Sequence, residues 1–120
     1  MKKITVFVSI IMLMVFLSGC GQKVLTFSNI IEADQYMRNN IENMEWSHFQ
    51  QLLDDKSSFS EKDFYALKKI INENSKTFYE LVDDKIYRFN SNGKFLYMID
   101  AVEKNNTIYF EEIIFFPELY

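Results

Sequence analysis

Cys20 and His48 are the only cysteine and the only histidine in this 120-residue chain. A lone thiol excludes an internal disulfide framework and any cysteine-based zinc cluster. An imidazole titrates near neutrality, so His48 is a candidate general base. It sits between Trp46 and Phe49 at a helical spacing, and the plainer reading is a solvent-facing side chain. With no second histidine and no HExxH-type spacing, no metal site is expected. Asp100 interrupts an apolar run, Leu96-Tyr97-Met98-Ile99-Asp100-Ala101-Val102. Strand alternation puts it on one face with Leu96, Met98 and Val102. If that face is concave, Asp100 is a carboxyl in an apolar pocket and a candidate proton shuttle. If the face is solvated, it is ordinary. Glu111 and Glu112 are adjacent, so they point to opposite faces and form no facing carboxylate pair. No GxGxxG, P-loop or serine elbow is present, and no cofactor is implied.

These residues must be positioned by one domain, since half of such a chain is too short for a good core. The chain is 48% hydrophobic and 17% aromatic, with three Gly and one Pro, which excludes disordered and low-complexity classes. Its net charge of −4 argues against nucleic acid as a partner. Ser28 or Asn29 caps a helix beginning near Ile30, with apolar residues at Ile30, Ala33, Tyr36, Met37, Ile41 and Met44. A break is expected near Asn43–Glu45, followed by a second helical run from Trp46 to Leu53. Ser60-Glu61-Lys62-Asp63 resembles a capping box, and Phe64, Leu67, Ile70 and Ile71 give a third amphipathic helix. Strands then follow at Thr77–Val82, Lys85–Asn90, Lys94–Glu103 and Thr107–Phe116. Asp83-Asp84, Ser91-Asn92-Gly93 and Asn105-Asn106 supply the turns. Short turns make these strands antiparallel. The expected fold class is α+β, with N-terminal helices packed on a curved antiparallel sheet of about four strands.

The first residues read as an address. Met1-Lys2-Lys3 is basic, and Ile4–Leu17 carries no charge. Fourteen helical residues span about 21 Å, short of the ~30 Å hydrocarbon core, and suit a signal-peptide apolar region. Leu17-Ser18-Gly19-Cys20 then resembles the lipobox of bacterial lipoproteins. That resemblance implies a signal peptide at 1–19, cleavage before Cys20, and a diacylglyceryl group on the Cys20 sulfur. Residues 20–27 would then be the lipidated cysteine and tether, and 28–120 the domain. Two acyl chains anchor a protein stably where one does not. Loss of Lys2 and Lys3 leaves 11 basic against 17 acidic residues, a net charge of −6. Such a head is expected to stand off an anionic lipid surface on the extracytoplasmic side of the cell membrane.

Beyond the leader, "ENMEWSHFQQLLDD", "SSFSEKDFYALKKI" and "IYFEEIIFFP" follow one another in an order similar to small NTF2-like or cystatin-like lipoproteins. The resemblance implies helices packed into a curved sheet and no single activity. Three functions stand open. One is a membrane-anchored binding module that meets a protein partner, or a second copy, through an aromatic sheet face. Phe78, Tyr79, Tyr87, Phe89, Phe95, Tyr97, Tyr109, Phe110, Phe115 and Phe116 supply that face or fill the core. The others are an immunity or exclusion lipoprotein of a mobile element, and a small pocket enzyme using Asp100. Phe115 and Phe116 are expected to point opposite ways, one into the core and one toward a partner.

Overall fold

The computed structural model describes residues 25–117. Helix α1 runs Ile30–Asn40 and is capped by Asn29, whose side chain accepts the Glu32 N–H at 2.9 Å. A 3-10 turn, Ile41–Asn43, extends it. The chain then becomes extended at Met44 and Glu45, at the expected break. Helix α2, Trp46–Phe49, is a single turn continued by a 3-10 turn at Gln50–Leu52. The expected second run is therefore two short helical pieces. Helix α3, Glu61–Glu73, begins with the anticipated capping box. Asp63 Oδ2 accepts from the Ser60 N–H, and Ser60 Oγ accepts from the Asp63 N–H.

Four strands form one antiparallel meander, β1 (Thr77–Val82), β2 (Lys85–Asn90), β3 (Phe95–Lys104) and β4 (Thr107–Ile114), in spatial order of sequence. The first two strands begin and end where their composition places them. β3 is displaced by one residue, and β4 ends two residues before Phe116. Asn105 and Asn106 both take positive φ, 54° and 62°, the backbone a two-residue hairpin turn demands. The register shifts between Arg88 and Phe89, opposite Leu96, and again between Asp100 and Ala101, opposite Glu111. Such bulges bend a strand and increase its local twist. The first also breaks strict alternation, so Leu96 and Tyr97 are both fully buried.

The core lies between the helices and one sheet face. Met37 of α1, Ile41 of the following 3-10 turn, Phe49, Phe64 and Leu67 meet Ile86, Ile99 and Phe110 there. The Phe49 and Phe64 ring centroids are 5.0 Å apart, with Phe59 5.3 Å from Phe49. The packed layer begins ahead of Asn29. Phe27 is buried, its N–H donates to Thr107 Oγ1 at 2.9 Å, and Leu25 packs on the core. The result is an α+β fold with helices packed against a curved antiparallel sheet.

Candidate interaction surface

Strand pairing sorts side chains onto two faces. Ile86 and Ile99 are paired and belong to the core under the helices. Their neighbours by alternation therefore face the other way. On that far face Phe78 pairs with Phe89, and Phe89 with Phe95. Phe78 and Phe89 stack with centroids 5.3 Å apart, Phe89 meets Phe95 edge-on at 6.1 Å, and Phe95 meets Phe116 at 6.0 Å. Four rings thus run across the whole width of the sheet. Phe78 and Phe116 at the two ends are 46% and 44% exposed. The next row is Tyr87, Met98 and Ile114, and Met98, although buried, lies outside the helix-side core.

Asp100 occupies the following row, between Lys85 on β2 and Glu112 on β4. It is half-buried on the face opposite the helices, in a band of charge beside the aromatic rows. His48 lies on the helix side, with Nε2 3.1 Å from the Tyr36 hydroxyl. The sheet separates the two, so they form no common site. Glu112 faces Asp100, while Glu111 is the bulge residue, and both are exposed. A groove of about 420 Å³ runs between the start of α1 and the β1–β2 turn, lined by Asn29, Leu81, Asp83, Asp84, Val102 and Glu103 among others. Neither Asp100 nor His48 lines it. Among the described residues no group of three or more His, Cys, Asp or Glu could hold a metal ion. No helix among them is long and apolar enough to cross a membrane. Cys20 lies outside the described residues.

Phe115 and Phe116 separate as expected from their adjacency. Phe115 packs on the core with its ring 6.1 Å from Phe59, while Phe116 joins the far-face row.

Two polar clusters escaped the sequence reading. Asp34 on α1 is fully buried and accepts from the Tyr97 hydroxyl at 2.6 Å and from Arg88 Nη2. Arg88 Nη1 also donates to Thr77 Oγ1 at 3.2 Å, and its guanidinium lies 5.0 Å from the Tyr79 ring centroid. Burial pushes the Tyr97 phenol well above its ordinary value, and the Asp34 carboxylate pushes it further. Burial works against the Arg88 charge, but Asp34 and Tyr97 outweigh it and hold the guanidinium above its ordinary value. The cluster is enclosed and its carboxylate is satisfied, so it acts as a clasp of α1 onto β2 and β3 rather than as a reaction centre. Its signal was present: Asp34 shares the apolar helix face with Ile30, Ala33 and Met37, and Arg88 alternates with Ile86. In the second cluster Lys104, the last residue of β3, pairs with Asp54. Their hydrogen bond lowers the Asp54 carboxyl below its usual range and raises Lys104.

Comparison of the chain with protein-family models, with curated proteins and with solved structures finds no match.

Proposed function

We propose that this chain is a bacterial lipoprotein whose folded head is a binding module on the extracytoplasmic side of the cell membrane. Residues 1–19 serve as the signal peptide and Cys20 as the lipidated N-terminus. The observation that carries the binding role is the row Phe78, Phe89, Phe95 and Phe116 on the face away from the helices. Aromatic rings bury much area with few rotors, which suits them to recognition. A contiguous apolar patch kept in water is a mark of interaction sites. The sheet-and-helix architecture also suits the NTF2-like or cystatin-like resemblance. Those scaffolds host many functions, so the surface and not the fold carries the argument.

The test uses photoreactive benzoylphenylalanine in the full chain in living cells, at Phe116 or at Tyr65. Tyr65 is the more exposed of the two, at 55%, but lies on α3. Adducts from position 116 and not from 65 are expected. Equal adducts from both, or none from 116, would sink the binding-face reading. The anchor is checked separately with a palmitate analogue, which should label the natural chain and not Cys20→Ser.

A further inference from the structure

The free edge of β1 is shaped to pair with itself. The β1–β2 hairpin turns on Asp83 and Asp84, so Val82 and Lys85 are the first pair. In a two-residue hairpin that flanking pair is hydrogen-bonded, and bonded pairs then recur at every second residue. Val82, Glu80 and Phe78 thus direct their backbone groups to β2. Thr77, Tyr79 and Leu81 direct theirs outward, where no described strand meets them. Natural edge strands are guarded by Lys, Pro, bulges or a covering segment. β1 has no Lys or Pro, its one charged residue is Glu80, and its register with β2 is unbroken along all six residues. Phe78, Tyr79, Leu81 and Val82 are all exposed, so the strand overhangs the helices with apolar side chains on both faces.

We propose that β1 is a homodimerisation edge, pairing antiparallel with β1 of a second copy about a two-fold axis at Tyr79, so that two sheets become one. A two-fold between antiparallel strands runs normal to the sheet and sets a residue opposite its own copy, which leaves two central choices. Centring on Glu80 opposes two carboxylates, and like charges directly across are destabilising. Centring on Tyr79 sets Tyr79 against Tyr79 and Thr77 against Leu81, all with outward-facing backbone groups. Glu80 then faces Phe78 of the second copy. Lys76 stands across from Val82 of the second copy, one residue from that copy's Asp83, so opposite charges meet at both ends. The aromatic row is continued as well, because Phe78 of each chain lies diagonal to Phe78 of the other across the axis. Leu25 of each copy, which packs against the helix-side core ahead of α1, stays on one face of the joined sheet. Two anchors could then enter one membrane, where tethering raises the effective concentration of each copy for the other.

This inference rests on the reading of the head as a binding module and names its partner. Cysteine cross-linking of the full chain in membranes tests it, with copper–phenanthroline as oxidant. Opposed residues of a bonded antiparallel pair have Cα atoms about 5.5 Å apart, within the roughly 4.4–6.8 Å a disulfide spans. Tyr79→Cys should therefore give a covalent dimer. Glu80→Cys should not, because its Cα lies about 8 Å from its copy, from strand spacing and rise. Co-expressed Thr77→Cys and Leu81→Cys chains should link to each other and not to themselves, which leaves Tyr79 intact. The natural chain, whose one thiol is Cys20, sets the background. Cross-linking through Glu80→Cys, linkage of Tyr79→Cys to a different protein, or no linkage above background from either design would each overturn the pairing. Adducts from position 116 alongside any of those results would leave the binding face standing and fault only the partner assigned to it.

Discussion

The two edges of the sheet are finished in opposite ways. β4 is closed by the domain's own chain. Leu53 forms a parallel bridge to Phe110, and the Asp54 N–H donates to the Phe110 carbonyl at 2.8 Å. Lys104 pairs with Asp54, Phe27 binds Thr107, and the Glu111 bulge interrupts the ladder. Among the described residues no segment pairs with the outer edge of β1, which is fastened through β2 and the Arg88 guanidinium. A strand covered by its own chain and bulged on one side, and on the other a strand whose one charge is Glu80 and that no described segment covers, is the pattern of a sheet that can be extended at one side.

The largest effects should come from the clasp and from the guarded side. Asp34→Ala leaves Arg88 charged, buried and unpaired, and is expected to cost about 3–5 kcal/mol. Replacing both partners with apolar residues, Asp34→Leu with Arg88→Met, should recover most of that loss. Phe110→Ala, at a fully buried β4 position, is expected to cost about 3–5 kcal/mol. Phe78→Ala on β1 loses one stacked pair and part of its burial, about 0.5–1.5 kcal/mol. Urea denaturation read at an unchanged slope measures all four. Equal losses at Phe110 and Phe78 would erase the distinction between the two edges.

Smaller effects should appear in the dependence on pH. The Tyr97 phenol is raised in the fold, so above about pH 10 an unfolded chain would lose that proton while the folded one keeps it. Stability should therefore fall as pH rises through that region, and Tyr97→Phe should remove this component while leaving Asp34 one donor short. Asp54 is lowered in the fold, so its contribution is complete at neutral pH and is lost as pH falls below the ordinary carboxylate range. Lys104 is raised, and its contribution persists up to its ordinary value and is lost above it. Lys104→Met should flatten the acid limb of a stability–pH profile. An unchanged acid limb would show that the pair does not help to hold the β4 edge.

The fold was legible where a local rule decides it. Asn29 and the Ser60–Asp63 box mark helix starts, because their side-chain oxygens accept from the first free N–H groups. Asp83-Asp84 and Asn105-Asn106 mark hairpins, because their backbone tolerates positive φ. The bulges at Leu96 and Glu111 leave no periodic trace, so the ends of β3 and β4 and the burial of Leu96 were missed. The Asp34–Arg88 pair joins residues 54 positions apart, and no local pattern encodes that distance. The aromatic excess was visible in composition, but its division depends on how far the helices extend over the sheet. They cover Phe110 and Tyr97 and leave Tyr79 in water, while Phe78 lies on the face they never reach, a fact of tertiary placement that spacing does not contain.

The smallest effect on stability should be the most informative about the open edge. Leu81 is 49% exposed on β1, with its backbone groups facing outward by the hairpin register. Leu81→Lys places on this edge the residue that natural edges use against pairing. A surface substitution of this kind should move the unfolding free energy by no more than about 0.5 kcal/mol. In the paired form, however, two such lysines would sit opposite Thr77 on either side of the axis. Their charge would be drawn into an apolar overhang beside Tyr79, and association should weaken strongly. Sedimentation of the detergent-solubilised full chain over a wide range of concentration reads both states. A shift of the natural chain toward dimer, abolished by Leu81→Lys with the denaturation midpoint unchanged, is the expected result. A natural chain and a variant that sediment alike at every concentration would mean that the bare edge tolerates water as it stands, and the contrast with β4 would then reflect only which segments of the chain happened to lie near it.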